Sequence, residues 1–182
     1  MFYRLLSKLL DYPGEDLYAA LPELRAAVAH ACTGEERRVL EGFLDHLAGM
    51  EPLEAQAIYV QTFDLTPQHT LNLTHHLFGD DKNRGPALID LAEFYKAFGL
   101  ELRPYAANDA DVEASGVNEL PDHLPLMLEF AAQLEAEEAR IFLAQWSKVL
   151  GQLAANLEAA DSPYAPLVRL IEARSQLVRA AA

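Results

Sequence analysis

The chain has 182 residues, 51% of them apolar, enough for one sizeable core without help from disulfides or metals. Fourteen Lys and Arg stand against 28 Asp and Glu, a formal net charge of −14 that repels nucleic-acid phosphates and anionic bilayers and favours a basic peptide as partner. The single cysteine, Cys32, excludes an intramolecular disulfide and the multi-thiolate zinc sites, and suits a reducing cytosol.

Apolar positions recur at helical spacing almost throughout, and nothing combines strict alternation with β-branched residues and hairpin turns, so the fold class is all-α. The opening MFYRLLSKLL is interrupted by Arg4 and Lys8 and lacks a small-residue cleavage site, so it reads as an amphipathic first helix rather than an export signal. No stretch reaches the roughly 18 uncharged apolar residues that cross a bilayer. The turn Asp11-Tyr12-Pro13-Gly14 ends the first helix, and a second follows with a break allowed at Pro22.

Thr33 with Glu36 has the form of a capping box ahead of the stripe Leu40, Phe43, Leu44 and Leu47. Pro52 suits a first helical position, with Leu53, Ala57 and Val60 on one face beside the i, i+4 pair Tyr59 and Phe63, and that helix ends near Asp64. Residues 64–85 are polar and turn-rich around a short apolar piece, LNLTHHLF. Pro86 opens the next helix, where Leu88, Leu91, Ala92, Tyr95 and Phe98 face one way until Gly99 caps it.

Between Glu101 and Arg140 ten acidic residues face two arginines, more than half of the net charge, and 103–118 reads as a mobile acidic connection within a single domain spanning 1–182. A helix starting around Asp122 carries Leu124, Met127, Leu128 and Phe130 over more than one face, as a central buried helix does. Phe142, Trp146, Val149, Leu150, Leu153 and Leu157 make the cleanest stripe, and Ser162-Pro163 opens a last helix with Arg169, Arg174 and Arg179 on its wetter side.

Asp64, His69, His75, His76, Asp80 and Asp81 raise the question of a metal. Adjacent histidines on a helix point about 100° apart, whereas helical ligand pairs need i, i+3 or i, i+4 spacing, so no metal site is assigned. No nucleophile signature accompanies Cys32, no GxSxG occurs, and the nine glycines form no phosphate-binding loop; no catalytic residue is assigned.

The string NELPDHLPLMLEF, residues 118–130, sets Glu119, Asp122, His123 and Glu129 against a helix that otherwise wants burial. It has two readings. In one, Asp122 caps its helix, His123 is a satisfied buried histidine and Glu129 reaches solvent. In the other, Glu119, Asp122 and His123 edge a groove that takes the cations of a bound peptide, while Met127, Phe130, Tyr59 and Phe63 receive its apolar side chains.

The run YVQTFDLTPQHTLNLTHHLFGDDKNRGPALIDLAEFYKAFGLEL from Tyr59, with NELPDHLPLMLEF and DSPYAPLVRLI, closely resembles the NarJ/NarW nitrate reductase assembly chaperones, which belong with the TorD- and DmsD-like chaperones of molybdoenzymes. The superfamily's Glu-Pro-x-Asp-His motif matches as Glu119, Pro121, Asp122 and His123, with the proline one place later. The block around His75, His76, Phe78, Asp80, Lys82, Asn83, Arg84 and Gly85 is the family's own. The resemblance implies a single-domain helical bundle of the TorD-like type, a cytoplasmic chaperone with no catalytic residues and no cofactor of its own. It further implies binding to the N-terminal segment of an apo nitrate reductase α subunit, a remnant of a twin-arginine signal. That subunit would be held for insertion of bis-molybdopterin guanine dinucleotide before it docks on its membrane partner, with molybdenum cofactor biosynthesis proteins as further partners. A chaperone for another molybdoenzyme, or a metal-binding helical protein, are the alternatives.

Overall fold

Spacings of three and four residues between apolar positions produce ten α-helices in the computed structural model, which describes residues 1–79, 81–100 and 119–176. In chain order they are α1 (Phe2–Leu9), α2 (Glu15–Ala31), α3 (Gly34–Ala48), α4 (Pro52–Tyr59), α5 (Leu73–Phe78), α6 (Arg84–Ala97), α7 (Leu124–Ala131), α8 (Ala136–Ala144), α9 (Ser147–Ala159) and α10 (Ala165–Gln176). A π-helical turn, Val60–Asp64, continues α4, and a 3₁₀ turn, Pro67–His69, precedes α5. Among the described residues there is no β-strand, only an isolated antiparallel bridge between Asn72 and His123. The fold is thus all-α, as its periodicity predicts.

Helix α7 is the central element. Leu124, Met127 and Leu128 are fully buried, and α1 packs along it through its own buried Leu5, Leu6 and Leu9. Burial of each such side chain is worth about 1.5–3 kcal/mol. Helices α9 and α10 pack against each other, and α10 also reaches α8 and α3. Arg174 of α10 ties three elements together: it donates to both carboxylate oxygens of Glu36 at 2.8 and 2.9 Å, and its guanidinium lies 3.5 Å from the centre of the Phe2 ring.

Several boundaries differ from the expectations, each for a local reason. Helix α2 continues unbroken past Pro22, with Leu21 and Val28 buried on either side of it. Thr33 is the N-cap of α3 but its side chain caps nothing, and the Glu36 carboxylate is bonded to Arg174 rather than to the cap; the reciprocal capping box instead forms between Glu135 and Glu138 at the start of α8. Leu53 is exposed, and α4 buries Ala55 and Tyr59 in its place. The stripe from Phe142 to Leu157 is shared by two helices, α8 and α9, which part at Gln145 and Trp146. Gly99, with φ +78°, ends α6 in the left-handed region where glycine carries no Cβ penalty. The acidic connection at 103–118 lies outside the described residues.

Candidate functional site

Two segments nearly fifty residues apart meet at Asp122, whose side chain is completely buried. Its Oδ2 accepts the Thr74 backbone N–H at 3.0 Å and the Thr74 hydroxyl at 2.5 Å, while Oδ1 accepts from the Asn72 amide at 3.4 Å. Arg84 Nη2 stands 3.6 Å from Oδ2, and Arg84 Nε donates to the Thr74 oxygen at 3.1 Å. The backbones lock as well: Leu73 N–H donates to Asp122 O at 3.0 Å, and Leu124 N–H donates to Leu71 O at 2.9 Å.

Asp122 therefore caps a helix, but not its own. The cap position of α7 is His123, and Asp122 instead satisfies an orphan amide at the start of α5, where the positive helix end also favours a carboxylate. Tyr95 of α6 adds a further tie, donating to Pro121 O at 2.7 Å, and burial with the nearby Asp122 charge pushes its phenol far above its ordinary value. The family block and the acidic motif are thus two halves of one buried junction.

That geometry revises the groove. Tyr59, Phe63, Met127 and Phe130 are all interior, as is Asp122. Tyr59 packs against Phe63 and Tyr164 with ring centres 4.9 and 5.9 Å away, and its hydroxyl donates to Leu10 O. Phe130 packs on Tyr95 and Phe142 at 4.6 and 5.0 Å. Their apolar surface is already spent on the core, so none of the five lines an open groove.

Glu119 and His123, in contrast, are only partly buried, with 34% and 15% of their side chains exposed. His123 Nδ1 sits 3.0 Å from Glu119 Oε2, an ion-pair distance without the alignment of a hydrogen bond. Asp11, in the turn after α1, is close enough that the Glu119 charge, after burial itself, helps to raise its carboxyl above the usual range. Tyr12, next to it, is exposed and meets Tyr59 edge-on at 5.6 Å. Glu129 reaches solvent and pairs with Lys8 at 3.2 Å. In the sequence the turn Asp11–Gly14 marks a helix end and agrees with the family resemblance, but neither its approach to Glu119 nor the pairing of Asn72 and Thr74 with Asp122 has a local signature, because both arise through long-range folding.

The histidines do not converge on an ion. His76 donates from Nε2 to Thr70 O at 2.8 Å, which fixes its tautomer, and burial holds its pKa below 6.5. The His75 ring centre is 6.5 Å from that of His76, and His69 is buried in the 3₁₀ turn. Among the described residues no group of three or more His, Cys, Asp or Glu could hold a metal. Phe78 is half-buried at the end of α5, and Asp81 accepts the Asn83 N–H at 2.8 Å in the turn into α6. Asp80 lies outside the described residues.

An all-α bundle knotted at an acidic motif, with no described helix long and apolar enough to cross a membrane, is the TorD-like chaperone type of fold. The nitrate reductase delta subunit family model matches residues 21–169, and the chain belongs to that family. It is 36% identical over 169 residues to the nitrate reductase molybdenum cofactor assembly chaperone NarJ of Escherichia coli K12, covering 92% of this chain and 66% of that protein, just under two thirds. With the probable nitrate reductase molybdenum cofactor assembly chaperone NarJ of Bacillus subtilis 168 it shares 33% identity over 166 residues, 91% of this chain and 83% of the relative. The probable assembly chaperone NarW of E. coli K12 is 26% identical over 161 residues, 88% of this chain and 62% of NarW. These relatives are named as assembly chaperones, not enzymes.

Proposed function

We propose that this chain is a cytoplasmic chaperone for a nitrate reductase. It binds the N-terminal region of the cofactor-free catalytic subunit and holds it competent for insertion of the molybdenum cofactor before that subunit docks on its membrane partner. The observation that carries the reading is the acidic edge at Asp11 and Glu119, beside the exposed Tyr12 and on the rigid junction at Asp122. Two carboxyls near one another gain from a cation placed between them, and a tyrosine face alongside accepts the same cation or an apolar side chain.

Holding needs no bond chemistry. A protein that binds the unassembled client more tightly than the assembled one shifts the population by that difference, and cofactor insertion then releases it. Rim charges act mainly on association rate and salt dependence, so affinity through Glu119 and Asp11 falls as salt rises.

Calorimetry with a synthetic peptide of the catalytic subunit's N-terminal segment tests the site. Glu119→Gln and Tyr12→Ala should each weaken binding while circular dichroism stays unchanged; full affinity in both folded variants removes the edge from the site. Pull-downs with cofactor-free and cofactor-loaded reductase test the role, and equal capture of the two forms overturns it.

A further inference from the structure

Helix α6 lies on the outside of the bundle with few side chains committed to it. Of its fourteen residues only Leu91 and Tyr95 are buried, against six of the eight in α7. An element with so few buried apolar contacts opens at a lower cost than the whole molecule. Two polar ties fasten it, and both end on neighbouring residues of one segment. At the N-terminal end Arg84 reaches Asp122 at 3.6 Å and Thr74 at 3.1 Å; about three turns on, the Tyr95 hydroxyl donates to Pro121 O at 2.7 Å.

The ties differ in what breaking them leaves behind. Withdrawal of Arg84 would strand a carboxylate that is sealed from solvent without the cation paired with it, the costly outcome for a buried charge. Tyr95 and Pro121 O are neutral, and water can replace each for the other once they part. One end of α6 is therefore anchored and the other only latched. The rings at the latched end are stacked but not sealed: Tyr95 packs on Phe130 with centres 4.6 Å apart, Phe94 lies parallel to Phe142 at 5.8 Å, and Phe98 meets Phe130 edge-on at 5.6 Å, yet Phe94 and Phe98 stay 37% and 45% exposed. Glycines stand at both ends of the helix. Gly79 before it has φ +56° and Gly99 after it φ +78°, each with open space where a side chain would begin. Glycines at element ends can absorb the backbone rotation of a hinge.

We propose that α6 is a strap, hinged at the Arg84–Asp122 anchor and latched by Tyr95 on Pro121, that swings out from its C-terminal end without unfolding the bundle. Closed, it covers the aromatic wall of Phe130 and Phe142; open, it bares that wall while α5 keeps its cap on Asp122. The device depends on the ties and packing of this chain alone and is independent of the chaperone reading above.

Amide hydrogen exchange of the full chain across sub-denaturing urea provides the test. A fourteen-residue helix cut loose from its neighbours is marginal in water, so an open strap gives up its protection. The expected result is exchange from Leu91 to Tyr95 about tenfold or more faster than from Leu128 to Ala131, with a shallower dependence on urea, as for an opening that exposes only part of the core. Tyr95→Phe, which loses the latch, should speed exchange in α6 several-fold. Arg84→Lys keeps the charge and loses the Nε bond to Thr74; it should lower the urea midpoint of global unfolding yet leave α6 exchange unchanged, because the anchor is intact in both closed and open strap. Should a variant fail to fold, the wild-type profile decides by itself. Equal protection and equal urea dependence in α6 and α7, no change in α6 with Tyr95→Phe, or α6 exchange raised as much by Arg84→Lys as by Tyr95→Phe overturns the strap.

Discussion

Glu119 and Asp122 belong to one motif, three residues apart, and meet opposite fates. Asp122 is sealed from solvent and has a donor for each of its oxygens; Glu119 is only half-buried, with an imidazole beside it and another carboxyl nearby. A single acidic string thus supplies architecture at one position and a half-buried charge that solvent still reaches at the other. What separates them is the partner segment: α5 presents unpaired amides to Asp122 and nothing equivalent to Glu119.

The contrast breaks most visibly at Asp122. Replacing it with alanine strands Asn72, Thr74 and Arg84 together, and urea unfolding should lose about 3–5 kcal/mol, the cost of removing one member of a buried charged pair. A loss below about 1 kcal/mol would show that the junction tolerates an orphaned cation. Thr74→Val removes the shared hydroxyl but keeps the backbone donor, and should cost about 1–3 kcal/mol in the same assay. Tyr95→Phe leaves one carbonyl unpaired at Pro121 and should cost about 0.5–1.5 kcal/mol.

Histidines sharpen the same division by pH. Burial keeps the folded pKa of His76 below its ordinary 6.5, so the unfolded chain takes up the proton first and stability falls as pH drops through the region just below that value. His76→Gln should flatten the urea midpoint between about pH 7 and pH 5; an unchanged slope would assign the loss to other groups. The smallest effect belongs to the edge: Glu119→Gln should shift stability by no more than about 0.5 kcal/mol, leaving peptide affinity as its only large readout.

The helices were legible because each apolar stripe is local. Pro52, the turn Asp11–Gly14 and Gly99 mark boundaries that the backbone obeys. The parting of α8 from α9 was not legible, since Gln145 and Trp146 interrupt neither the stripe nor the helical propensity. Tyr59, Phe63, Met127 and Phe130 illustrate a deeper limit: a residue that fills a core and one that lines a groove follow the same spacing, and only tertiary packing distinguishes them. The pairing of Asp122 with Thr74 spans 48 positions, beyond any local pattern.

That span bears on synthesis. Helix α5 is six residues long, too short to persist by itself, and its start is completed by a side chain made 48 residues after Thr74. On the ribosome α5 stays unfinished until that aspartate has emerged. A nascent chain interrupted before Asp122 would therefore carry an α5 whose first turn lacks its carboxylate cap.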